Sequence, residues 1–151
     1  MKRLFFLMAL ALASAGVPAL ASQQASPGAP AAGRQDINPQ ALHIALSSLL
    51  LAATKMAVEN VMLRTGKPPA SNRAAHVGEP DYLTTNEISS ITVHPGGVLE
   101  VHFTSAVSPE LTGVWLTPIR AQGRVEWSCV SHDIVQVHDV ASSCTYQPLG
   151  H

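Results

Sequence analysis

The sequence predicts an α+β domain: one long N-terminal helix packed on a four-stranded antiparallel sheet, closed by a C-terminal disulfide loop. Three observations predict it. A helix with marked ends runs between Asn38 and Gly66, the apolar period turns from helical to alternating near Ile88, and the only two cysteines stand late in the chain.

Residues 1–21 are expected to be a cleavable secretory signal peptide. Lys2 and Arg3 form a basic start, an uncharged apolar run follows from Leu4 to Ala13, and Ala19-Leu20-Ala21 fits the small-x-small cleavage pattern. The apolar run is short for a membrane span, which needs about 20 residues. Residues 22–36 are mostly Ala, Ser, Gly, Pro and Gln, and such a segment cannot bury enough surface to offset its ordering entropy. A flexible tail is the expectation there. From residue 37 to 151 the length suits one domain with one core.

Asn38 is a good N-cap, and Pro39 follows at the first helical position, where its missing N–H costs nothing. Ile37 and Leu42 flank that cap at the spacing of a hydrophobic staple. Gly66 can close the helix in the left-handed conformation, and Pro68-Pro69 forbids continuation. The spacing therefore predicts one helix over 39–65, with Leu42, Leu46, Leu49, Ala53, Met56 and Leu63 as its core face. Leu49, Leu50 and Leu51 are consecutive and cover about 200° of the circumference. Either two sides of the helix are buried, or a partner covers one, with Leu46, Leu49, Leu50 and Leu51 as the contact. His43 and Lys55 argue against a membrane span in this segment.

A polar loop over 67–87 precedes the strands. Ile88–His94, the turn Pro95-Gly96-Gly97 and Val98–Thr104 read as a β-hairpin. Val114–Thr117 and Arg124–Val130 make the third and fourth strands, the last with Val125, Trp127 and Cys129 on one face. Residues 134–140 read as a fifth strand or an ordered loop.

The chemistry-bearing residues are few. Removing Lys2 and Arg3 with the leader leaves seven basic against ten acidic residues, a net charge of −3, which argues against bulk binding to nucleic acid or anionic membranes. Cys129 and Cys144 are expected to be joined in an oxidising compartment, free thiols being the alternative. His132-Asp133 and His138-Asp139 lie between them, and a metal or acid–base role weighs less there than a polar surface loop. His94 and His102 flank the hairpin turn and read as solvent-facing strand residues. No serine stands in a nucleophile motif, and no phosphate-binding or dinucleotide glycine pattern occurs. No enzyme, cofactor or metal is expected. Trp115 and Trp127 read as core aromatics or as stacking platforms, and the place of Trp127 beside Cys129 favours the core. The segment between the cysteines, with His132, Asp133, Ile134, Val135, His138 and Asp139, is the candidate binding loop, because cross-linking lowers the entropy lost on binding.

From about Ala41 to Cys144 the chain resembles the globular part of type IV pilins. The resemblance rests on Gly66 and Pro69 after the long helix, continued by Asn72 and Ala74. It continues in Ile91-Thr92-Val93 and Val98-Leu99-Glu100-Val101, in the segment from Leu111 to Pro118, and in Trp127-Ser128-Cys129 with Cys144 beyond. It implies a β-meander beneath the helix and a C-terminal disulfide loop used for recognition. The ordinary secretory leader and the soluble tail stand where a pilin carries its prepilin leader and apolar helix half. The expectation is a non-catalytic, exported, periplasmic or extracellular protein that binds a pilus component, another protein or a surface glycan. Alternatives are a minor pilus subunit acting in assembly or adhesion, and a small periplasmic metal-binding protein or enzyme.

Overall fold

A computed structural model describes residues 36–110 and 112–150. The expected leader and nearly all of the expected tail lie outside the described residues. The order is α1 (Pro39–Leu46), α2 (Leu49–Thr65), β1 (Ile88–His94), β2 (Val98–Phe103), β3 (Gly113–Ala121), β4 (Arg124–Ser131), α3 (Val137–Val140) and β5 (Cys144–Tyr146). A single turn of 3₁₀ helix, Pro80–Tyr82, lies in the loop before β1.

The helical segment begins and ends where its caps require. The Asn38 side chain accepts from the backbone N–H groups of Gln40 and Ala41, and Gly66 closes the segment at φ 74°. Between these ends it is broken. Ser47 Oγ donates back to the His43 carbonyl, and Ser48 turns extended and caps α2 by accepting from Leu51 N. The break rotates the buried face. Ala41, Leu42 and Ala45 are buried in α1, but in α2 the buried stripe is Leu51, Thr54, Val58, Val61 and Met62. An unbroken helix would have buried Leu49; the face instead resumes at Leu51, two residues or about 200° further round. The expected core face is corrected accordingly: Leu49, Met56 and Leu63 are exposed, at 85%, 60% and 46%, and Ala53 is exposed with them.

The sheet has five strands in the order β1-β2-β3-β4-β5, one more than expected. The first four are antiparallel, whereas β5 runs parallel to β4 with Cys129 opposite Cys144. The disulfide that joins these two cysteines therefore fastens the edge strand. Residues 137–140 form one helical turn rather than a strand.

The hairpin turn is tight. Gly97 N donates to the His94 carbonyl across Pro95 and Gly96, and Gly96 takes φ 91°, as the position after a turn proline requires. A Cβ on Gly97 would lie 3.1 Å from Val58 and 3.2 Å from Pro118, so the turn sits close against α2.

The core lies between helices and sheet. Leu42, Leu51, Val58 and Met62 meet Ile91, Val93, Leu99, Val101, Val114 and Leu116. Trp127 is half-buried on this side; its Nε1–H donates to Glu59 at 2.6 Å, and the Lys55 ammonium lies 5.3 Å from its ring. The buried Asn72 closes the outer edge of β1. Its Nδ2 donates to the carbonyls of Ile91 and Gly78, and its Oδ1 accepts from Val93 N at 2.6 Å. One side chain thus satisfies groups of an edge strand that have no neighbouring strand to pair with.

Over Pro39–Thr65 the helical segment is long and apolar enough, by length and composition, to cross a membrane. The same measure is met by core helices of soluble domains, and one side of this segment faces the sheet.

Candidate functional site

The segment between the cysteines is held from within. Ser131 Oγ donates to Asp133 at 2.8 Å and accepts from Ile134 N, while Asp133 also accepts from Gly113 N at 3.1 Å. Ile134 and Val137 are fully buried and form its apolar floor. Ile134 is therefore core, not contact surface, and that expectation is corrected. Val135, His138 and Asp139 face outward. His138 Nδ1 lies 3.2 Å from the Cys144 carbonyl, and Asp139 lines a shallow cleft with Ile37, Pro39 and Gln136.

The two His-Asp pairs do not converge. His132 turns across the outer face of the sheet, with Nδ1 2.6 Å from the Gln147 carbonyl, and Asp133 is engaged with Gly113. Among the described residues no group of three His, Cys, Asp or Glu side chains could hold a metal ion.

The four leucines also separate. Leu51 is 2% exposed and belongs to the core, which corrects its assignment to a partner contact. Leu46 and Leu50 are half-buried and pack against that core. Leu49 alone projects freely, and with Met56 and Leu63 it forms a stripe at seven-residue spacing on the side of α2 turned from the sheet. All three residues of this stripe belong to those expected in the core.

A further cluster stands on the outer face. The Glu100 carboxylate accepts from His94 Nε2 at 2.7 Å and lies 3.1 Å from His102 Nε2. Trp115, directly opposite Glu100 in the β2–β3 register, stacks on His94 with ring centroids 5.2 Å apart. The strand alternation around Val114 and Leu116 was the signal that could have placed Trp115 outside.

A family model described as pilin, of the bacterial filament, matches residues 45–146. No curated protein matches in direct sequence comparison. The match spans both helices' junction, the whole sheet and the disulfide. It carries with it a structural rather than enzymatic family, whose partners are proteins of a filament. The chain belongs to the pilin family.

Proposed function

We propose that this protein is exported by a cleavable leader over residues 1–21, that residues 22–36 are a flexible tail, and that its pilin-like domain over 37–151 works as a soluble, non-catalytic interaction protein. Its partner is a pilus component or a surface protein. The observation that carries the reading is the exposed stripe of Leu49, Met56 and Leu63 on a helix whose other side is already buried. Large apolar side chains aligned along one face are costly to leave in water and mark a contact surface. The outward residues of the disulfide loop, Val135, His138 and Asp139, supply a second surface, suited to a protein or a glycan. Cross-linking Cys129 to Cys144 holds that surface ready for binding.

The mass of the protein in solution, alone and with candidate pilin subunits, tests this. A complex with a pilin subunit is the expected result. A strict monomer that binds no pilin contradicts it. The same stripe favours a second reading, a minor subunit assembled into the filament. Recovery of the protein in sheared filaments rather than in the soluble fraction selects that reading.

A further inference from the structure

The outer-face cluster borders a cleft of about 380 Å³ lined by Glu100, His102, Gly113, Trp115, His132 and Asp133, with Leu149 at its rim. Gly113 makes its floor. It stands opposite His102 in the β2–β3 register, and a Cβ there would come within 2.6 Å of the Val101 carbonyl oxygen. A side chain at this position is therefore excluded by the neighbouring strand.

The lining has two chemical characters. Trp115 and Leu149 are apolar walls. The polar groups are chiefly acceptors. Carboxylates only accept, so His102 donates from Nε2 to Glu100. His132 donates from Nδ1 to the Gln147 carbonyl. Glu100 and Asp133 bring two negative charges, and no lysine or arginine lines the cleft among the described residues.

An apolar wall beside a group of acceptors is the complement of a long basic side chain. Such a side chain has an apolar stem and a head that only donates. The planar guanidinium also suits carboxylates and aromatic rings. A sugar ring could also meet the carboxylates and Trp115, since its hydroxyls both donate and accept, but it brings no charge to answer Glu100 and Asp133. We propose that this cleft binds an arginine or lysine side chain projecting from a partner protein. The site lies on the sheet face opposite the helices and is independent of the Leu49 stripe.

The test uses the protein as produced and a short glycine-flanked arginine peptide, followed by the Trp115 indole resonance. The controls are the same peptide with citrulline, which keeps the shape and loses the charge, and a neutral disaccharide. The expected result is a saturable shift with the arginine peptide and binding weaker by roughly tenfold with citrulline, the size of a cation–aromatic and ion-pair contribution. Glu100→Gln is expected to weaken arginine binding comparably. Leu149→Lys, at a position 68% exposed where folding is not at stake, is expected to block it by supplying a competing head group. Equal binding of both peptides overturns the proposal. So does binding of the disaccharide alone, or arginine binding that survives both substitutions.

Discussion

On β1, β2 and β3 alternate residues turn to opposite faces, and the two faces differ in kind. Toward the helices stand Ile91, Val93, Leu99, Val101, Val114 and Leu116, all buried. Toward solvent stand His94, Glu100, His102 and Trp115, all half-buried and joined by hydrogen bonds and ring stacking. The inner face holds the fold through burial, whereas the outer face is expected to tolerate change with little loss of stability.

The comparison breaks if inner and outer substitutions cost alike. Leu99→Ala removes a fully buried side chain from the middle of the sheet and is expected to cost about 2–5 kcal/mol by denaturant unfolding. Asn72→Ala comes next. It leaves the Val93 N–H and the Ile91 carbonyl without their partner at a buried edge, at a cost of roughly 1–3 kcal/mol. Glu100→Gln on the outer face is expected to cost less than about 1 kcal/mol, as partly exposed ion pairs do, while weakening arginine-peptide binding. A loss from Glu100→Gln as large as that from Leu99→Ala contradicts the division between the faces.

Much of this was legible in the sequence, for local reasons. Asn38-Pro39 and Gly66 marked the helical ends because capping depends on neighbouring residues alone. The alternation in Ile91-Thr92-Val93 and Leu99-Glu100-Val101 marked the strands in the same way. The break at Ser47-Ser48 was hidden, since strong helix formers flank it and the choice between bending and continuing depends on the sheet below. One missed cap then carried the predicted face of α2 about 200° out of place, and with it Leu49, Met56 and Leu63. β5 was hidden because its pairing with β4 is made by a chain return of fifteen residues rather than by local pattern. In the candidate site, Val135, His138 and Asp139 were readable as a polar loop. Ile134 was not separable from them, because its burial depends on the Ser131–Asp133 turn. The meeting of His102, His132 and Trp115 required the register of three strands.

The stripe on α2 is the point on which the proposed function rests. Its most direct measurement is the affinity of the protein for a pilin subunit before and after Leu49→Lys with Met56→Lys, beside Tyr82→Lys as an exposed control at 82% accessibility. The account predicts binding that falls by at least roughly tenfold in the double variant, the loss of one buried side chain's worth of contact, and that is unchanged in the control. Binding that is unaffected by the double variant contradicts it.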